Sequence, residues 1–320
     1  MKISVLGSGR WGTFLASYHS AQNDVLLWGR PTSRAFAALQ RDRKNSYQTL
    51  PENLALTTDL RRALAWANTI IISISAQQLR SFAKTLQQHD IAGKTFILCM
   101  KGIEAETGKR LTQVFQEEIN QPVHVAVWVG PGHVQDFTAG IPNCMVVDSV
   151  DPMVTDAIVQ QLSGELIRLY KGNDLIGTEV GAAAKNVIGI AAGMLDGSGR
   201  SSLKGALMAR GAREVSRLIR AMGGNELSAY GLCHLGDYEA TLFSAHSHNR
   251  KFGEAFIKGE PYEELAEGAA TVKAMVRLGD QYGVELPISQ TVYRILYEKY
   301  PPEDALPLLF KRTVKGEFDY

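Results

Sequence analysis

The chain has 320 residues, 34 basic against 33 acidic, for a formal net charge of +1. That length exceeds a usual single core and predicts two domains. The charge balance supplies no field to draw in nucleic acid or an anionic membrane, so neither is an expected partner. Three dispersed cysteines, Cys99, Cys144 and Cys233, make neither a disulfide framework nor a metal knuckle, and point to a reducing cytoplasm.

Residues 2 to 6 (KISVL) read as a short buried strand that runs straight into GSGRWG, leaving no room for a cleavable signal. A helix is predicted over 13–21 and a second strand over 24–28. Strand, glycine turn, helix and strand within about 30 residues are the context that makes G-x-G-x-x-G a dinucleotide fingerprint. Gly7 permits the tight turn, Gly9 lets backbone approach a pyrophosphate, and Gly12 lets the helix pack closely. After the second strand the chain reads WGRPTSR. Arg30 stands where an acid would bond the ribose hydroxyls of NAD, with Arg34 close behind, which favours NADP over NAD.

Further strands are predicted at 69–74, 95–100, 123–129 and 144–148. Apolar strands alternating with helical stretches indicate a parallel sheet covered on both faces. The fold class is α/β, a Rossmann dinucleotide-binding domain over 1–174 followed by an all-helical domain over 175–320. Long helices are predicted over 203–224 and 263–284. No apolar run approaches the ~20 residues of a membrane span.

Lys101 follows a strand end, the place where open α/β sheets bind ligands. Past the next strand, Gly130, Pro131 and Gly132 suggest exposed backbone N–H groups. The junction LIGTEVGAAAKNVIGIAAGMLDGSG carries glycines at 177, 181, 189, 193 and 197 with Lys185 in the vacant slot of the four-residue period. Positions four apart are helix neighbours, so Gly181 and Gly189 are expected to leave open space around the Lys185 amine. The glycine stripe implies close packing, either across a homodimer or against another helix of the same chain. A lysine followed by Asn186 in so apolar a helix is costly to bury without a purpose. Downstream, residues 234 to 253 offer Asp237, Thr241, Ser247, Asn249 and Arg250. His246 and His248 lack a third ligand at a suitable spacing, so no metal is expected.

GSGRWG, LLWGR, MKGIE, the Gly-Pro stretch at 130, EVGAAAKNVIGIAAG, LGDYEAT, SHNRKFG and Glu267-Gly268 together resemble the bacterial NAD(P)-dependent glycerol-3-phosphate dehydrogenase family over nearly the whole chain. The resemblance implies NAD(P)H-dependent interconversion of dihydroxyacetone phosphate and sn-glycerol 3-phosphate, feeding phospholipid synthesis. It implies cofactor contacts from Gly7, Gly9, Arg10, Trp11, Gly12, Arg30, Arg34, Lys101, Val134 and Glu267. Lys185 is then the general acid/base, with Lys101 and Asp237 beside it. Substrate contacts are implied for Lys101, Gly130, Gly132, Lys185, Asn186, Asp237, Thr241, Ser247, His248 and Asn249. A nearby Lys101 would lower the Lys185 pKa and Asp237 would raise it.

The chain departs from the family pattern at ligand-facing positions. The family's Ser-Arg-Asn, whose arginine holds the substrate phosphate, is here Ser247-His248-Asn249. Gly132 and His133 replace the usual Ser or Thr and Phe, Val134 replaces Ala, and Ser75-Ala76 replaces Pro-Ser. Either phosphate binding is rebuilt, with Arg250 as a candidate, or the substrate is another small hydroxy or keto compound. A cofactor-binding regulator without turnover is a third reading, against which Lys185 and Asp237 argue.

Overall fold

The computed structural model describes residues 1–311 and 316–317. The chain divides into two compact units, Met1–Met100 with Leu111–Asn173, and Lys101–Arg110 with Asp174–Tyr320. The break expected near residue 174 is joined by a second exchange: the ten residues Lys101–Arg110 group with the helical unit.

The first unit is built on eight strands, β1 (Lys2–Leu6), β2 (Asp24–Trp28), β3 (Ala55–Thr57), β4 (Thr69–Ile72), β5 (Thr95–Leu98), β6 (His124–Val129), β7 (Asn143–Ser149) and β8 (Ile167–Lys171). Their order in the sheet is β3-β2-β1-β4-β5-β6-β7-β8. Helices α1 (Arg10–Ser20), α2 (Arg34–Asp42), α3 (Leu60–Trp66), α4 (Leu79–Leu86), α5 (Leu111–Glu118), α6 (Val134–Thr138) and α7 (Pro152–Leu162) connect them. Ile3, Val5, Val25, Leu27, Ile71, Ile97 and Trp128 form one buried face of the sheet's core.

The sheet is parallel from β3 through β6, but β7 runs antiparallel to β6, and β8 lies parallel to β7. The expected parallel sheet is therefore present, with a single antiparallel pairing at β6–β7. The five-residue α6 rises only about 8 Å, too little to carry the chain back along a strand, so the chain returns antiparallel instead. Edge strand β8 was not expected; its alternating burial includes exposed Arg168 and Lys171, and its apolar run is correspondingly broken.

In the second unit, α8 (Leu175–Gly197) is followed by α9 (Lys204–Ala221), α10 (His248–Lys258), α11 (Glu267–Tyr282), α12 (Pro287–Tyr297) and α13 (Pro302–Phe310). The second of the long helices expected from sequence starts later than residue 263, because Ala266 is an extended N-cap. By length and hydropathy α8 could cross a bilayer, which corrects the statement that no segment approaches a span. However, 83% of its apolar window is buried inside the protein. The close partner of its glycine stripe is α10 of the same chain. A Cβ at Gly193 would meet the Arg250 carbonyl, and one at Gly253 would meet the Ile190 carbonyl. Without those side chains the two backbones approach directly.

Candidate active site

In the first unit, α1 starts at Arg10, with extended Gly9 as its N-cap and no side chain capping the first turn. The leading N–H groups of α1 are therefore not taken by a capping side chain, as an anion site at a helix N-terminus requires. Gly7 has φ +119°, and a Cβ there would strike the Ser73 carbonyl; one at Gly12 would strike the Gly7 carbonyl. Around Gly9 nothing lies within 4 Å of a Cβ, so its side-chain position is open for a ligand.

The Arg10 guanidinium sits 5.4 Å from the Tyr47 ring centroid, and Trp11 packs against Phe14 and Phe137. Arg30 and Arg34 are exposed beyond β2, with Gly29 rather than an acid at the strand's end. Gly130 and Gly132 both have positive φ, +133° and +144°. A Cβ at Gly130 would lie 2.9 Å from Met145 Cα, and one at Gly132 would strike the Phe137 ring. Val134 is the buried first residue of α6.

The second unit gathers the lysines. Lys101–Arg110 is held there by the ion pair of Arg110 with Glu179, which leaves both side chains largely buried. An Ile103–Arg110 bridge closes the same segment. Neither Arg110 nor Glu179 was assigned a role from sequence; the signal was Glu179 itself, a carboxylate in a glycine-alanine helix that has to find a cation when buried.

Lys101 Nζ donates to Asp237 Oδ2 at 2.7 Å, and Lys185 Nζ lies 2.9 Å from that same oxygen. Lys185 Nζ also donates to Thr241 Oγ1 at 2.7 Å. Side-chain exposure is 23% for Lys101, 8% for Lys185 and 2% for Asp237, so one buried carboxylate links a buried and a partly open ammonium. Asp237 ends a 3-10 turn, and the next turn, Glu239–Phe243, is a π-helix that carries Thr241. π-Helical turns are rare and concentrate at functional sites.

The space around Lys185 is not open as expected. A Cβ at Gly181 would lie 2.9 Å from Cys233 Sγ, and one at Gly189 would lie 2.7 Å from Thr241 Cγ2. The glycines instead let neighbouring segments close on α8, which is how Thr241 reaches the lysine. Burial drives the Lys185 pKa down from 10.5 to about 8. The Asp237 charge opposes that shift and the Lys101 charge adds to it, in the directions expected from sequence.

Asn186, next on the helix, donates its Nδ2 to the Lys101 carbonyl at 2.9 Å. Asn249 Nδ2 donates to Asn186 Oδ1 at 3.0 Å, and Asn249 Oδ1 accepts from the Gly268 N–H at 2.9 Å. Two amides thus tie the Lys101 backbone, α8, α10 and the start of α11 together. Glu267 opens α11 beside Gly268.

Ser247 caps α10, its hydroxyl accepting from the Arg250 N–H. His248 Nδ1 lies 2.8 Å from the Tyr262 hydroxyl and 3.9 Å from Glu264 Oε2. Arg250 is engaged elsewhere: Nη1 contacts Asp196 at 2.7 Å and Glu254 at 3.1 Å, and Nε donates to the Ser244 carbonyl. Two carboxylates already compensate its charge. A cavity of about 1370 Å³ lies elsewhere in this unit, lined by Met194, Leu207, Arg210, Arg217 and Val292 among others, and includes none of Lys101, Lys185, Asp237 or Thr241.

The N-terminal family model of NAD-dependent glycerol-3-phosphate dehydrogenase matches residues 2–155, and the C-terminal model matches 174–307. Glycerol-3-phosphate dehydrogenase (NAD(P)+) of Pelodictyon phaeoclathratiforme is 33% identical over 333 residues, covering 100% of both chains. That of Prosthecochloris aestuarii is 35% identical over 332 residues, covering 99% of this chain and 100% of the relative. The crystal structure of glycerol-3-phosphate dehydrogenase from Coxiella burnetii superposes with a TM-score of 0.89 at 28% identity, covering 97% of this chain and 99% of that one. A Rossmann unit, a helical unit with its paired lysines and full-length similarity agree: the chain belongs to the NAD(P)-dependent glycerol-3-phosphate dehydrogenase family.

Proposed function

We propose that this protein interconverts dihydroxyacetone phosphate and sn-glycerol 3-phosphate with NADPH or NADH, as a cytoplasmic enzyme supplying glycerophospholipid precursors. The observation that carries the reading is the Asp237 carboxylate bridging Lys101 and Lys185, with the Lys185 pKa near 8. An ammonium poised near neutrality is suited to give up and retake a proton.

A nicotinamide dinucleotide, when bound, supplies the hydride that reduces the substrate's carbonyl carbon. The open Gly9 position, the first turn of α1 left uncapped by any side chain, and exposed Arg30 and Arg34 fit its pyrophosphate and a 2′-phosphate. Arg10, Trp11, Val134, Lys101 and Glu267 complete the cofactor contacts in this reading.

An ammonium has three donors, and Lys185 directs two of them at Asp237 and Thr241. The third is directed at the substrate's oxygen. It stabilises the negative charge developing there and then transfers its proton. Asp237 keeps the resulting two-lysine cluster compensated, and Thr241 holds the Lys185 Nζ in line. Lys101, partly open, contacts substrate, while Asn186 and Asn249 hold it in place through its carbonyl. Gly130, Gly132, Ser247, His248 and Asn249 are the remaining substrate positions.

A second reading, a related dehydrogenase for another small hydroxy or keto substrate, is favoured by one feature. His248 stands beside Tyr262 and Glu264, and Arg250 is paired with two carboxylates, so a phosphate at this end of α10 would have to compete with them for that guanidinium. A regulator without turnover has no use for a buried Lys185–Asp237 pair. The test is NADPH and NADH oxidation with dihydroxyacetone phosphate by wild type, Lys185→Ala and His248→Arg. Turnover lost in Lys185→Ala supports the first reading. A silent wild type with activity gained in His248→Arg supports the second.

A further inference from the structure

His234 and Tyr238 flank Asp237 in sequence, and both are completely buried. His234 Nδ1 is 2.8 Å from the Gly181 carbonyl, which can only accept, so Nδ1 carries the proton. Nε2 is then the acceptor of the Tyr238 hydroxyl, 2.6 Å away. The rings meet edge to face, 4.8 Å between centroids. Burial keeps this imidazole neutral, its pKa lowered to about 4, with the Lys185 charge pushing in the same direction and the Gly181 backbone, Asp237 and the Gly211 backbone opposing.

The residue that His234 grips matters. Gly181 lies one helical turn before Lys185, and its carbonyl is the one that the Lys185 backbone N–H meets in an α-helix. At its other end, His234 accepts the Asp237 N–H on its own carbonyl at 3.0 Å. A Cβ at Gly181 would lie 3.1 Å from His234 Cβ, and one at Gly211 on α9 would lie 3.0 Å from the Tyr238 hydroxyl oxygen. Both helices therefore present glycine where this pair is seated. The result is a closed ring of contacts: Lys185 Nζ to Asp237, Asp237 to the His234 backbone, the His234 ring to Gly181, and one helical turn back to Lys185.

We propose that His234 and Tyr238 are positioning residues that set the Asp237 carboxylate against the Lys185 ammonium, locking the segment 234–238 to the turn of α8 that carries the lysine. This deepens the reading of Lys185 as proton donor and rests on it for its kinetic consequence. The positional claim itself is tested without turnover.

The experiment compares wild type with Tyr238→Phe, His234→Asn and a matched core variant, Val292→Ala, which is buried in the same unit far along the sequence. The Lys185 pKa is read from the pH dependence of its acetylation by acetic anhydride, followed by mass spectrometry. Tyr238→Phe removes one oxygen and retains the ring, so it keeps the test available should His234→Asn not fold. With the Asp237 carboxylate displaced, the group that raises the Lys185 pKa is weakened. The expected result is a downward shift of about one unit in Tyr238→Phe and none in Val292→Ala. A kinetic arm expects kcat to fall about tenfold with the KM for the nicotinamide cofactor unchanged. An unshifted Lys185 in Tyr238→Phe, or an equal shift in Val292→Ala, overturns the proposal. A shifted Lys185 in a protein that turns over no ketone leaves the positioning intact and removes the proposed activity instead.

Discussion

The ammonium of Lys185 lies 2.9 Å from Asp237 Oδ2, the same oxygen that accepts from Lys101. Asp237→Asn keeps the shape but leaves two neighbouring ammonium groups without their shared countercharge. The Lys185 pKa should then fall below about 8, and kcat should drop about 100-fold or more. A pH–rate profile of the variant checks both; an unmoved limb would remove Asp237 from the site.

The direction of reaction sets the direction of pH dependence. Ketone reduction requires Lys185 protonated, so its rate should be flat below about pH 8 and fall about tenfold per unit above it. Alcohol oxidation requires the neutral amine and should rise to a plateau above the same pH. Steady-state profiles in both directions test this, and two limbs of the same sign would exclude a single lysine serving both.

Arg30 is exposed just past β2, where no carboxylate competes for a ribose. Arg30→Ala should raise the KM for NADPH about tenfold or more while leaving that for NADH nearly unchanged, because only NADPH brings the 2′-phosphate. Equal effects on the two cofactors would show that Arg30 does not read that phosphate.

The junction of α8 with α10 predicts opposite outcomes for two glycine substitutions. Gly193→Ala drives a methyl into the Arg250 carbonyl and should cost roughly 1–3 kcal/mol. Gly205→Ala, exposed in α9 with nothing within 4 Å of its Cβ, should gain about 0.5–1 kcal/mol. Thermal unfolding of the two proteins gives the comparison, and a stabilising Gly193→Ala would mean that the helices part without penalty.

Much of this arrangement is written locally. KISVL, the GSGRWG turn and DVLLW specify strand, glycine turn and strand because each depends on neighbouring residues: burial period, glycine torsion and close approach over a few positions. The long lysine helix is equally legible from its four-residue glycine period. Legibility fails where the determinant is distant. The reversal at β7 depends on how little chain α6 provides, and the seating of Lys101 in the helical unit depends on Arg110 finding Glu179, 69 residues away.

The sequence by itself determined which residue types are available: a glycine-rich turn between strand and helix, Gly29-Arg30 rather than an acid after the second strand, and a lysine set among glycines. Only the tertiary structure decided what those residues meet. The glycines beside Lys185 create no empty space; they admit Cys233, His234 and Thr241, and Arg250 is paired with Asp196 and Glu254. The reason is physical. A pKa near 8 and a shared carboxylate arise from desolvation and charge placed within about 3 Å by segments more than 50 residues apart, and no local pattern encodes those distances.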